Sequence, residues 1–136
     1  QGHANLLYPG ISALSALLHD LAGSNHPEGG SYLDHTTVLA FSEFARTPLF
    51  NNFGGRDHHI ASSCLLAGAG IRGGTVVGAS STVGMGAGRY DFARNQVSDA
   101  GENIKPDHIA ATLLASAGLD PFITRVQPIT ALLARP

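Results

Sequence analysis

The stretch T-T-V-L-A-F-S-E-F-A-R-T-P, Thr36 to Pro48, decides how this sequence is read, and G-R-D-H-H, Gly55 to His59, follows it closely. Thr36 to Phe41 is a β-branched and apolar run suited to a buried strand, and Ser42 begins the loop leaving it. From Arg46 to Asp57 the chain carries Pro48, Asn51, Asn52, Gly54 and Gly55, which predicts a long loop. That loop would hold the first polar cluster and deliver the second.

The clusters contain the residue types of a metal site. Asp57, His58 and His59 are adjacent, and Glu43 and Arg46 lie just beyond the strand. Carboxylate and imidazole are the ligands a zinc or similar divalent ion takes where no thiolate is offered. In an extended segment neighbouring side chains point to opposite sides, so Asp57 and His59 would face one way and His58 the other. Arg46 supplies a planar fork of donors for phosphate, sulfate or carboxylate. The plainer alternative is that Arg46 pairs with Glu43 or Asp57 and the polar residues only hold the loop.

Working outward, Pro9 to Leu21 places Ile11, Leu14, Leu17, Leu18 and Leu21 at helical spacing, with Pro9 in the first turn and Gly23 as the stop. Ser24 to Ser31 is rich in Gly, Ser, Asn and Pro and reads as a surface loop. Ile60 to Ala69 reads as a helical turn followed by a strand, Gly68 to Gly74 as a glycine-rich bend, and Thr75 to Val77 as a short strand. Ala79 to Asn103 has no periodicity and reads as irregular loop. Pro106 to Ala117 is a second helix, with Ile109, Leu113, Leu114 and Ala117 on one stripe, Asp107 at the positive end of the dipole and Gly118 after the last turn. Asp120 and Pro121 turn the chain, and Ile129 to Leu133 is a short apolar segment. Strand, polar loop, helix and strand in succession predict an α/β layer with the site at the carboxyl ends of parallel strands.

Composition narrows the function classes. The 136 residues are 43% hydrophobic and 13% charged, which suits one globular domain spanning 1–136 with a real core. A net charge of −2 asks for neither nucleic acid nor an anionic membrane as partner. No run nears the roughly 18 apolar residues of a membrane span. The chain has no leader and does not begin with Met, so it reads as a processed or fragmentary product. The one cysteine, Cys64, excludes an internal disulfide and reads as a buried structural thiol. His19 and His26 read as solvent-facing, His35 as part of a turn with Asp34, and His108 as a solvated residue of a helix first turn. G-A-G-I-R-G-G, Gly68 to Gly74, lacks the Lys-Ser/Thr pair of a P-loop, and none of Ser62, Ser63, Ser80 and Ser81 sits in a G-x-S-x-G setting.

Three motifs in order, the Thr36 to Pro48 stretch, G-R-D-H-H and L-L-A-G-A-G-I-R-G-G-T-V-V-G-A-S (Leu65 to Ser80), resemble the bacterial domain-of-unknown-function family numbered fifteen hundred and one. That family is a branch of the alkaline phosphatase/sulfatase superfamily. D-H-I-A-A-T-L-L-A-S-A-G-L-D resembles its closing helix, and H-A-N at His3 its upstream D-T-H-x-N element. The resemblance implies an alkaline phosphatase-like α/β sandwich, a mainly parallel sheet flanked by helices, of which this chain is the carboxyl-terminal portion. It also implies export to the periplasm or beyond. Carried over by position, Glu43 takes the place of a strand-end acidic ligand, His58 that of a later histidine ligand, and His3 that of a further one, with Asp57 beside them. The bound ion would be a divalent metal, zinc or calcium. Ala45 stands where the family has Gly, His59 replaces an aromatic, and Gln1 stands where a ligand Asp would sit.

The function implied is metal-dependent hydrolysis of phosphate or sulfate esters, small or carried on glycans, with Arg46 steadying developing charge. The nucleophile would come from an amino-terminal half outside this chain, which with a homo-oligomer is the partner expected. The alternative is a catalytically inactive exported binding or assembly module.

Overall fold

The computed structural model describes residues 2–82 and 84–134. Helix α1 spans Gly2–Gly23, ending where the glycine predicted but starting well before Pro9. Pro9 lies inside the helix, where it lacks the N–H that would reach back one turn, a defect of about 3 kcal/mol in an exposed helix interior. Leu14, Leu18 and Leu21 are half-buried, while Ile11 and Leu17 of the same stripe remain 63% and 48% exposed. The helix packs on a 3₁₀ turn, Tyr32–His35, so one short element covers only part of its apolar face.

Strand β1, Thr37–Phe41, forms where the apolar run predicts it. The chain then makes a nested excursion. Ala45–Arg46 (β2) pairs antiparallel with His58–His59 (β3), and β1 pairs antiparallel with Cys64–Gly68 (β4). The expected sandwich with a mainly parallel sheet is therefore incorrect, because every strand pairing among the described residues is antiparallel. A parallel neighbour needs a crossover of a dozen or more residues, usually a helix, and no helix lies between β1 and β4. The chain returns instead as one long hairpin. The helical turn expected at the start of Ile60 to Ala69 is also absent, Ile60 to Ser63 being irregular.

The glycine-rich bend forms as expected, and Gly70 shows why it needs glycine. Its φ is +70°, and a Cβ there would run into the backbone carbonyl of Ser116 at the end of the second helix. Thr75 to Val77, expected to be a strand, is irregular. Ala79 to Asn103, expected to be irregular, contains a three-stranded antiparallel sheet of order β6-β5-β7: Arg89–Asp91 (β5), Gln96–Val97 (β6) and Glu102–Asn103 (β7). Its first turn is held by Asp91, whose carboxylate accepts from Ala93 N and Arg94 N at 3.0 Å and pairs with the Arg94 guanidinium at 2.8 Å. Those Arg94 bonds hold the Asp91 carboxyl below its ordinary pKa. Asn95 closes the turn at φ +53°.

Helix α2, Pro106–Ser116, meets its sequence prediction, with Gly118 at φ +72° after it. The core lies where α2, the three-stranded sheet and the final segment meet. Tyr90, Phe92 and Ile129 are buried there, with Val77, Ile104, Ile109 and Leu132 packed against them. His108 is not solvated but 1% exposed, stacked on Phe92 with ring centroids 4.4 Å apart. Its Nδ1 accepts from Lys105 N at 3.0 Å, satisfying a backbone donor at the helix start. Cys64 likewise departs from expectation. It lies exposed on β4, with desolvation raising its thiol pKa, so little of it is in the reactive thiolate form.

Thr112, fully buried, ties the last segment to α2. Its hydroxyl donates to His108 O at 2.7 Å and accepts from Ile129 N at 2.9 Å. A buried donor left unpaired costs about 1–3 kcal/mol. Thr112→Val, which keeps the shape and removes the oxygen, is expected to lower unfolding free energy by about 2 kcal/mol in chemical denaturation, whereas Thr112→Ser retains the bond to Ile129 and loses less. No loss in Thr112→Val with a clear loss in Thr112→Ser would show that the methyl group and not the oxygen matters.

Candidate functional site

The two sequence clusters meet on the β2/β3 ribbon. Its register sets Ala45 opposite His59 and Arg46 opposite His58, so the S-E-F-A-R and G-R-D-H-H motifs are joined by backbone pairing. Both Arg46 and His58 are exposed, while His59 on the alternate position is half-buried. The His59 Nδ1 lies 3.2 Å from Ala61 N, which donates to it, so that this ring fixes the exit of the ribbon.

Phe44 is the platform of the cluster, and the sequence reading passed over it. The His58 ring stacks on Phe44 with centroids 3.7 Å apart and planes at 20°. The Arg46 guanidinium carbon lies 4.8 Å from the same ring's centroid. Aromatic S-E-F at the start of a two-residue strand was the available signal, since an apolar residue two positions from Arg46 shares its side of the ribbon. One guanidinium N–H of Arg46 donates to Arg56 O at 3.0 Å. No carboxylate pairs with Arg46 among the described residues, where Arg94 with Asp91 is the ion pair found. The plain alternative of an Arg46 pair with Glu43 or Asp57 is not what forms.

Loop 47–57 is held by Asn51 and Arg56. Asn51 Oδ1 accepts from Phe53 N at 3.0 Å and Gly55 N at 2.9 Å, and its Nδ2 donates to Asp57 Oδ1 at 2.7 Å. Arg56 donates to Thr47 O at 2.9 Å and to Pro48 O, with its guanidinium carbon 4.6 Å from the Phe50 ring centroid. Thr47 N donates to Asp57 O at 2.9 Å, and Asp57 N to Thr47 Oγ1 at 3.1 Å, which closes the ring.

The proposed ligands are thus distributed unequally. His58 sits beside Arg46, Asp57 has one carboxylate oxygen engaged by Asn51, and Glu43 is exposed without a hydrogen bond or ion pair among the described residues. Glu43, Asp57 and His58 do not bring three ligand atoms within one ion's reach of each other. The His3 side chain lies outside the described residues, its backbone falling in α1. The arrangement offers an exposed cation and an imidazole on an aromatic base, suited to an oxyanion. Among the described residues it lacks a preassembled metal cage.

A family model described as "Protein of unknown function (DUF1501)" matches residues 3–124. Neither a curated protein nor a solved structure matches the chain. No helix among the described residues is long and apolar enough to cross a membrane.

Because Asn51 alone satisfies two loop N–H groups and steadies Asp57, Asn51→Ala is expected to speed amide hydrogen exchange at Phe53 and Gly55 by about tenfold or more while global stability changes little. Unchanged exchange at those two amides would show that Arg56 holds the loop by itself.

Proposed function

We propose that this chain, which belongs to the DUF1501 family of proteins of unknown function, contributes the oxyanion-binding part of a metal-dependent site that hydrolyses phosphate or sulfate esters. The observation that carries this reading is the cross-strand pairing of Arg46 with His58 over Phe44, with no carboxylate neutralising the guanidinium among the described residues. A planar guanidinium with most of its N–H groups uncommitted suits the oxygens of phosphate or sulfate. His58 would hold the divalent ion with Glu43, Asp57 and His3 as the further ligands, zinc being better suited than calcium to a nitrogen donor. The ion would polarise the ester oxygen. The ligands must close together for this, and Asp57 must share its carboxylate with Asn51.

The superfamily kinship behind this reading rests on the motif resemblance, as does export to the periplasm or beyond. The apolar side chains exposed on α1, among them Tyr8 at 78%, support its working against further polypeptide, either an amino-terminal half or a second copy. A second reading, an inactive binding module, is favoured by one observation. The three acidic and histidine candidates do not converge on one point among the described residues.

The two readings separate in one experiment on the purified full-length protein. Metal content by elemental analysis, phosphate and sulfate binding by calorimetry, and turnover of aryl phosphate and aryl sulfate are measured for the wild type, His58→Ala, His59→Ala and Arg46→Ala. The hydrolase reading expects His58→Ala to lose more metal than His59→Ala, and Arg46→Ala to retain metal while kcat falls by roughly 10²–10³. Oxyanion binding lost in Arg46→Ala, with neither metal nor turnover in the wild type, would establish the binding module instead.

A further inference from the structure

Helix α1 is followed by a loop that the ester-binding reading does not use. In it His26, Glu28 and His35 each offer a ligand atom, and these atoms lie within 4.8 Å of one another. His35 lies in a turn, as its place beside Asp34 predicts, while His26, expected in solvent, is half-buried. The two imidazoles stack, with centroids 3.9 Å apart and planes at 16°, and Tyr32 meets the His26 ring edge-on at 5.0 Å.

The loop backbone is also held by bonds that do not involve these rings. Asn25 and Ser31 form an antiparallel bridge. His26 N donates to Gly30 O and Gly29 N to His26 O, each at 2.9 Å. Gly29 and Gly30 take φ of +96° and +70°, which lets the chain reverse tightly enough to return His35 beside His26. Ser31 and Asp34 cap the 3₁₀ turn reciprocally, Asp34 Oδ2 accepting from Ser31 N at 2.7 Å and Ser31 Oγ at 2.8 Å. Those bonds occupy Asp34 Oδ2, and the carboxylate that groups with the two rings is that of Glu28.

The hydrogen bonds around the rings also select a metal-binding form. His35 Nε2 is 2.8 Å from Gly29 O. A carbonyl accepts only, so Nε2 carries the proton and the Nδ1 lone pair is left for a ligand bond. Donation of the remote ring N–H to a backbone carbonyl is the usual support of a metal-binding histidine. On His26, Glu28 N donates to Nδ1 over a longer 3.2 Å, a contact that a metal–nitrogen bond can replace.

We propose that His26, Glu28 and His35 form a binding site for zinc or a similar nitrogen-seeking divalent ion. Two imidazoles and one carboxylate are a known zinc donor set, with water filling the fourth position. Nitrogen ligands at about 2.0–2.1 Å from zinc require donor separations near 3.4 Å, so the site contracts on binding and the rings splay from their stack to aim both lone pairs at one ion. Calcium and magnesium prefer oxygen ligands and gain little from this set. The site involves neither the Arg46/His58 ribbon nor any step of ester hydrolysis.

The test titrates chelator-stripped protein with Zn²⁺ by calorimetry and with Co²⁺ by visible absorption, alongside His35→Ala, Glu28→Gln, His58→Ala and His19→Ala. The expected result is that His58→Ala and His19→Ala retain a zinc site whose Co²⁺ form gives the intense bands of a four-coordinate ion. His35→Ala is expected to weaken that site by more than about a hundredfold, beyond the loss that follows removal of a supporting contact alone. Glu28→Gln exchanges an exposed carboxylate for an amide of the same shape, so its weaker binding is read without a change in fold. Wild-type protein that binds no zinc overturns the proposal, as does a zinc site that survives both His35→Ala and Glu28→Gln. Zinc binding abolished by His58→Ala alone assigns the ion to the ribbon and overturns it equally.

Discussion

The hydroxyl of Thr112 is the tie on which the carboxyl-terminal half depends. By donating to His108 O and accepting from Ile129 N, it satisfies a backbone donor that burial has removed from water, and it fixes where the last segment crosses α2. Ile129 then fills the core with Tyr90 and Phe92, and His108 completes the layer by stacking on Phe92. The next constraint follows directly. Leu132 O accepts from Arg72 N and Ala134 N donates to Gly70 O, so the final segment also anchors the bend beyond β4. With so few side chains fully buried among the described residues, these directional bonds define geometry that apolar burial would leave loose.

The other half depends on a nested antiparallel pairing. Once β1 returns through β4 without a crossover, the residues between them are obliged to form a loop whose sides face each other. That topology turns two motifs separated in sequence into neighbours across a ribbon. The ladder fixes Arg46 opposite His58, and the aromatic platform limits where their side chains lie.

Local signals in the sequence were read well where one residue type dictates one conformation. Pro106, Asp107 and Gly118 marked α2, Gly23 marked the end of α1, and the β-branched run marked β1. Strand direction was not local information. It depended on the absence of a helix between β1 and β4, and a helical turn had been read into Ile60 to Ser63. The three-stranded sheet escaped because strands of two or three residues cannot display an alternating pattern, although Asp91 and Asn95 carried the turn chemistry of its first hairpin. His108 was misjudged for a related reason. Its position in a helix first turn is visible in the sequence, but the phenyl ring of Phe92 that covers it comes from another element. Of the candidate site, the meeting of Arg46 and His58 was legible as two motifs, while Phe44, Asn51 and Arg56 were legible only once the ribbon register was known.

Exposure sets the strength of whatever the ribbon does. Two unit charges 4 Å apart interact by about 1 kcal/mol in bulk water and about 4 kcal/mol where the effective dielectric constant is near 20. On the proposed function, an exposed Arg46 would therefore bind an oxyanion weakly and through its fork geometry more than its charge. Substantial stabilisation of a developing negative charge requires that water be excluded from the same residues. The surroundings of the ribbon are suited to such covering, since Phe41, Leu49, Phe50 and Phe53 are 70–97% exposed close to it in sequence. A surface laid over those apolar groups would gain hydrophobic free energy and at the same time lower the local dielectric around Arg46 and His58. Burial without an anion or carboxylate to accept the guanidinium would be costly, so on the proposed function cover and anion binding reinforce each other. On the proposed function, the ribbon's electrostatics would be weak while exposed and stronger once enclosed, and the apolar side chains around it would favour that enclosure.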